Sequence, residues 1–242
     1  MAVAPPTKAF GAAIKRREDP RLITGKATFT DDVRLVNAAT MAVLRSPYAH
    51  ARITSIDAGA ARKAPGVLAV YTGDDLEGKL APLPCAWPIT GSNIKTPPYP
   101  ALAKGRVRYY GEGVAMVVAE TPEQARDAVD LIEVAYEPLP VIVNQEAATK
   151  EGAPLLHDDV PNNIAFTWHI SGGDTDAAIK GAEVVIRQRF VNQRLLPTAM
   201  ETRGCVADYN SGTGELTAWI TSQNPHVHRL LMSLVTGMPE HK

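Results

Sequence analysis

Val114-Ala-Met-Val-Val-Ala119 is an unbroken apolar run, and one residue later the chain reads Thr121-Pro122-Glu123-Gln124. The run suits a buried strand. The four residues after it are a helix start, with Thr121 as N-cap, Pro122 at the first helical position and Gln124 at the capping-box position. Ala125, Ala128, Val129 and Ile132 then recur at helical spacing, and Val134-Ala-Tyr136 opens another strand that Pro138 and Pro140 stop. Strand, capped helix and strand in such close succession confine this part of the chain to a layered fold mixing both element types.

A similar unit precedes it. Residues 41–45 form one β-run, residues 58–64 can make two helical turns before Pro65-Gly66, and residues 67–71 read as a buried strand. Strands alternating with short helices make residues 20–143 an α/β domain. Between the units, residues 78–105 hold Pro82, Pro84, Pro88, Pro97, Pro98 and Pro100. Such a stretch is expected as a surface excursion packed on a neighbour.

Residues 1–19 form an N-terminal arm, of which 1–14 are small, proline-containing and aperiodic, and so ordered only against another surface. The charged block Arg16-Arg17-Glu18-Asp19-Pro20-Arg21-Leu22 reads equally as a solvated turn or a subunit contact. An acidic, proline-bearing connection over 144–162 marks a linker. Beyond it, in 163–242, residues 174–181 can form a short helix, while 183–191 and 203–209 alternate like strands. With Asn210-Ser-Gly-Thr-Gly214 as a turn, 203–221 reads as a β-hairpin.

That hairpin feeds a second strand-to-helix junction, Ile220-Thr221-Ser222-Gln223-Asn224-Pro225-His226. Asn224 offers an N-cap oxygen and Pro225 suits the first helical position. Val227, Leu230, Leu231, Leu234 and Val235 supply an apolar stripe, and Gly237 and Pro239 end the helix. Gln223 therefore stands on rigid backbone at a helix N-terminus with one NH2 donor and one C=O acceptor. From the residues alone it is either satisfied by loop backbone or aimed at a bound group.

The chain has 242 residues, 45% apolar and 21% charged, with a net charge of −1. That is long enough for one large or two modest domains and gives no electrostatic footprint for nucleic acid or an anionic membrane. Neither an apolar run of about 18 residues nor a signal-peptide core is present, so no membrane span and a cytoplasmic location are expected. Cys85 and Cys205 form no C-x-x-C pair, so iron–sulfur clusters and structural zinc are not expected here. Gly111-x-Gly113 lacks the third glycine of a dinucleotide loop, and no phosphate loop or nucleophile turn occurs. His226 and His228, spaced i, i+2, point to different helix faces and read as solvated or packing residues. In Met200-Glu201-Thr202-Arg203 a structural ion pair between Glu201 and Arg203 is favoured over a ligand contact.

Seven stretches together resemble a known family. Residues 17–25 read Arg-Glu-Asp-Pro-Arg-Leu-Ile-Thr-Gly, residues 44–53 Leu-Arg-Ser-Pro-Tyr-Ala-His-Ala-Arg-Ile, residues 107–112 Val-Arg-Tyr-Tyr-Gly-Glu, and residues 136–140 Tyr-Glu-Pro-Leu-Pro. Residues 192–195 (Asn-Gln-Arg-Leu), 200–203 (Met-Glu-Thr-Arg) and 221–226 (Thr-Ser-Gln-Asn-Pro-His) continue in the same order. The set resembles the opening part of the molybdenum-binding large subunit of the molybdenum hydroxylases, the family of xanthine dehydrogenase, aldehyde oxidase and aerobic carbon monoxide dehydrogenase. The phrasing of residues 17–21 and 108–112 is nearest the carbon monoxide branch, although bacterial hydroxylases of aldehydes and N-heterocycles share it.

The resemblance implies an α/β-hammerhead domain over 20–143 and the beginning of the first molybdenum-cofactor-binding domain over 163–242. It implies a molybdenum–molybdopterin cofactor, with iron–sulfur clusters and FAD carried on partner small and medium subunits. Gln223 matches the glutamine that lies beside the molybdenum centre and hydrogen-bonds an oxo ligand, so it is the one cofactor-binding residue carried over. No direct metal ligand and no complete catalytic set are expected, because the family's Gly-Gly-Phe-Gly stretch, substrate-channel loop and late general-base glutamate are absent. The chain alone is therefore expected to be inactive. Its end at Pro239-Glu240-His241-Lys242 fits a fragment, a subunit split so that a second chain completes it, or a remnant. The rival expectations are a non-catalytic assembly module built on the hammerhead domain and, more weakly, an unrelated small-molecule-binding α/β protein.

Overall fold

The computed structural model describes residues 10–85 and 90–242. Residues 1–9 of the expected N-terminal arm, and Pro88 of the proline-rich stretch, lie outside them. The chain divides into two compact units, one of residues 36–195 with 223–242 and one of residues 1–35 with 196–222.

The larger unit holds six strands: β1 (Thr40–Arg45), β2 (Ala51–Asp57), β3 (Val67–Thr72), β4 (Arg106–Val107), β5 (Gly113–Ala119) and β6 (Glu133–Pro138). They form two three-stranded sheets of order β1-β5-β3 and β4-β2-β6, with every pairing antiparallel. The odd-numbered strands thus make one sheet and the even-numbered strands the other, so each connection carries the chain across from sheet to sheet. For this reason alternating strands and helices do not produce a parallel sheet here, and the unit is mixed α+β.

β5 is the central strand, and Val114, Ala115, Val117 and Ala119 are fully buried on it. One core gathers Val70, Val117 and Ala119 with Ala125, Ala128 and Ile132 of the helical segment that follows β5; a second gathers Ala51, Ala103, Val107 and Val114. Ile56 and Val134 pack against both. Among the helices, α2 (Gly59–Arg62), α3 (Gly73–Leu76) and α4 (Pro122–Asp130) serve this unit, after an exposed α1 (Asp19–Ile23) in the smaller one. Arg16 and Asp19 pair beside α1 at 2.8 Å, with both side chains largely solvated.

The helix start read from sequence is present. The Thr121 hydroxyl accepts from the Gln124 amide at 3.3 Å, and the Gln124 carboxamide accepts from the Thr121 amide at 3.1 Å. Gly66 turns the chain into β3 at φ +75°, and a Cβ there would stand 2.2 Å from the Gln124 side chain. The positive φ favours glycine, and a side chain there would also push the Gln124 carboxamide from its capping position.

β2 was not expected from the sequence. Ile53 and Ile56 are three residues apart, and a bulge between Ile53 and Ser55 breaks the period-two pattern that marks a strand. Conversely, residues 183–191 alternate like a strand and form none, because no other strand pairs with them. The connection at 144–162 contains α5 (Gln145–Ala148), capped by Asn144, and the Asn163 amide bridges Ala148 and Pro154 carbonyls. Two later helices, α6 (Thr175–Lys180) and α7 (Pro225–Thr236), lie where the periodicity predicts them. In the smaller unit, β7 (Cys205–Asn210) and β8 (Glu215–Ile220) make the predicted hairpin, Cys205 opposite Ile220.

Candidate functional site

β8 ends at Ile220 and α7 starts at Pro225, so Gln223 stands in the four-residue junction. Its side chain is exposed and, among the described residues, engages no hydrogen-bond partner. The alternative that loop backbone satisfies it is not what the structure shows. Asn224 occupies the N-cap position of α7 without the expected side-chain cap bond. Pro225 sits at the helix start and Gly237 closes it at φ 74°, its amide donating to Ser233 at 2.9 Å.

The strand side of the junction is tied to two other segments of the smaller unit. The Thr221 amide donates to the Gly204 carbonyl at 3.3 Å, and its hydroxyl donates to the Thr202 carbonyl at 3.3 Å and lies 3.4 Å from the Thr30 hydroxyl. Glu201 is half-buried, and its carboxylate accepts from the Thr30 amide at 3.0 Å. The ion pair expected between Glu201 and Arg203 is not formed. β7 begins only at Cys205, so the two residues are not held on one strand face, and the backbone donor at Thr30 takes the carboxylate instead.

In the larger unit three of the stretches that carry the resemblance meet. The Ser46 amide donates to the Glu112 carbonyl at 2.8 Å, the Gly111 amide to the Ser46 carbonyl at 2.9 Å, and the Leu139 amide to the His50 carbonyl at 3.0 Å. Ser46, His50 and Glu112 are the buried polar residues of the described chain. The Glu112 carboxylate accepts from the Arg108 amide at 2.6 Å. Burial pushes its pKa up, against the lowering effect of that amide. His50 Nδ1 lies 2.8 Å from the Pro140 carbonyl, which can only accept, so Nδ1 carries a proton; Nε2 is buried and has no partner among the described residues. The Tyr48 and Tyr136 rings pack at 5.2 Å beside them. The sequence gives these residues no assigned role. Their burial has no signature in a polar residue's type or spacing.

A mainly apolar cavity of about 720 Å³ opens beside α3, walled by Leu76, Pro97, Pro98 and Leu102 with Lys104 and His157 at its rim. Lys104 is held by Glu77 and, at 3.1 Å, by Asp74, hydrogen bonds that raise its pKa, and burial lowers that of His157. Pro82, Pro97, Pro98 and Pro100 of the proline-rich stretch line this cavity.

Residues 24–140 match the family model described as aldehyde oxidase and xanthine dehydrogenase, a/b hammerhead domain, and residues 156–242 match the molybdopterin cofactor-binding domain. The carbon monoxide dehydrogenase large chain of Afipia carboxidovorans is 40% identical over 96% of this chain and 30% of its own length. The nicotine 6-hydroxylase large subunit of Paenarthrobacter nicotinovorans is 36% identical over 96% of this chain and 28% of its own. In structure, quinoline 2-oxidoreductase from Pseudomonas putida 86 aligns with a TM-score of 0.80 at 34% identity, covering 100% of this chain and 30% of that one. The chain thus spans about 30% of the length of the relatives it matches.

Proposed function

The chain belongs to the aldehyde oxidase and xanthine dehydrogenase family, with that family's a/b hammerhead domain followed by the start of a molybdopterin cofactor-binding domain, and on this premise we propose that it forms the opening part of the catalytic large subunit of a molybdenum hydroxylase. The complete assembly oxidises a small molecule, either carbon monoxide or an aldehyde or N-heterocycle, with oxygen drawn from water. In this reading residues 20–143 are the hammerhead domain, 163–242 begin the first cofactor-binding domain, 144–162 link them and 1–19 form the arm. An iron–sulfur small subunit and an FAD medium subunit carry the electrons away, and the assembly is cytoplasmic.

The observation that carries the reading is the exposed carboxamide of Gln223, which hydrogen-bonds no other described residue and lies in the sequence between β8 and α7, within the segment matched to the cofactor-binding domain. An exposed side chain with an unused donor and acceptor fits a cofactor seated against this junction, although it supplies one contact and not a pocket. The bound cofactor supplies two-electron redox chemistry at molybdenum. Gln223 would donate from its Nε2–H to an acceptor on that centre, fixing its orientation and steadying the charge that shifts onto it during turnover. No residue described here is placed to act as the general base, so this chain alone is inactive in this reading.

Elemental analysis for molybdenum, on this chain alone and on the complex it forms in native extract, is the direct test. Metal in the complex only is the expected result. Metal in neither would favour a non-catalytic assembly module, a reading supported by the hammerhead region closing its two cores within its own residues. In the complete enzyme Gln223→Ala should cost roughly 10²-fold in turnover, as loss of one preorganised donor does elsewhere, with the melting temperature unmoved. Unaltered turnover would remove the assigned role.

A further inference from the structure

We propose that the concavity formed by His50, Arg108 and residues 141–156 is a binding site for a small carboxylate carried on an apolar body, with the Arg108 guanidinium as its anchor. All of its walls lie within the larger unit, and nothing in the site depends on the reading of Gln223.

The cavity holds about 410 Å³, a size that suits a small organic ligand. Val141, Ile142, Ala148 and Leu156 give it apolar walls, joined by Tyr109 and Tyr110. Two of the segments that build it are fixed by internal bonds. The turn carrying the tyrosines is tied by the Glu112 amide to the Tyr109 carbonyl at 3.2 Å and by the Arg45 guanidinium to the Gly111 carbonyl at 2.9 Å. In the segment 148–163, the Asn163 amide donates to the Ala148 and Pro154 carbonyls at 2.9 Å, and its oxygen accepts from the Leu156 amide at 2.8 Å. Walls already ordered spare a ligand the cost of ordering them.

Arg108 is half-buried, and its Nε donates to the Leu156 carbonyl at 3.3 Å. Its two terminal nitrogens engage no partner among the described residues, and no ion pair there includes it. The Glu112 carboxylate accepts from the Arg108 backbone amide rather than from the guanidinium. Burial raises the pKa of Glu112 and lowers that of His157, and in both the charge of Arg108 pulls downward. A guanidinium with two unused nitrogens and no counter-ion suits a carboxylate, whose paired oxygens match its fork. The Tyr109 hydroxyl is taken up by that of Tyr99 at 2.8 Å, whereas that of Tyr110 engages no described partner and offers a second donor.

Charge decides between the two cavities that Arg108 borders. The larger one, beside α3, is lined by Glu77, Asp158 and Asp159, which repel an anion, and its Lys104 is already held by two carboxylates. The smaller one has no acidic residue among its described walls. His50 contributes to that wall, but its Nε2 is buried, so Arg108 is the polar anchor.

The test is a calorimetric titration of the chain with phenylacetate and with its neutral counterpart phenylacetamide. Phenylacetate should bind at least about tenfold more tightly, the worth of a hydrogen bond to a charged group. Arg108→Gln should bring the two to within about twofold of each other, and Ala148→Phe, which fills the cavity and leaves the arginine in place, should abolish binding of both. Equal affinity for acid and amide in the unsubstituted chain, or no saturation below about 10 mM, overturns the site. So does undiminished binding in Ala148→Phe, which would put the acid in the cavity beside α3. The same titration of the complex from native extract separates the two sources of a carboxylate: binding retained there supports a free ligand, and binding lost there, though present in the chain, overturns it and gives Arg108 to an acidic side chain of a partner. If circular dichroism shows Arg108→Gln unfolded, the acid-to-amide ratio and Ala148→Phe still decide.

Discussion

The stretch from β1 to β6 and the stretch 164–200 are both well supplied with apolar residues, and they use them in opposite ways. In the first, Val107, Val114 and Val117 are wholly shielded, and Ala125 and Ala128 let α4 approach the sheet closely. In the second every described residue is exposed, including Trp168 at 56%, Ile186 at 82%, Phe190 at 81% and Leu196 at 90%. Apolar composition sets what a segment needs, and only a facing element decides whether it is met. On the reading proposed above, the cover for 164–200 comes from the rest of the large subunit, and such a surface left bare favours self-association.

Substituting a charge into each region should separate them most sharply. Val117→Asp, on the central strand, is expected to cost at least about 4 kcal/mol, since an unpaired carboxylate would be buried, and circular dichroism should show the larger unit unfolded. A cooperative transition retained at the original temperature would break the contrast. Smaller is Gly66→Ala, where positive φ and the Gln124 side chain together should cost about 1–3 kcal/mol in chemical denaturation. Replacement without loss would mean that the turn can be rebuilt.

Next comes a pH effect at Glu112. Its carboxyl is raised above the ordinary 4.5, so the folded chain holds that proton more tightly than the unfolded one. Stability from this group is present below 4.5 and lost as pH rises through the raised value. Glu112→Gln should therefore flatten the decline in unfolding free energy on going from acid to neutral pH; an unchanged slope would assign the decline elsewhere. Least of all, Ile186→Asp should alter the stability of the isolated chain by no more than about 0.5 kcal/mol. Its effect should be on association, read as a shift toward monomer in analytical ultracentrifugation.

Local grammar explains what was legible in the sequence. Thr121, Pro122 and Gln124 announce α4 because capping involves residues three apart, and the hairpin announces itself through its turn. β2 escaped because a bulge shifts Ile56 out of phase with Ile53. Residues 183–191 misled in the opposite sense, offering strand-like alternation where nothing pairs with it. At the candidate site, the position of Gln223 between β8 and α7 could be read directly. The grip of Glu201 on Thr30 could not, because no spacing rule links residues so far apart.

The alternation of strands between two sheets has a consequence for synthesis. In the larger unit no strand pairs with its sequence neighbour, and Thr40 finds its partner only at Ala119, whereas β7 meets β8 across a tight turn. Long-range closure of this kind slows folding, because chain entropy is surrendered before contacts repay it. On the ribosome, β1 emerges early and must wait without a neighbour until β5 has been made.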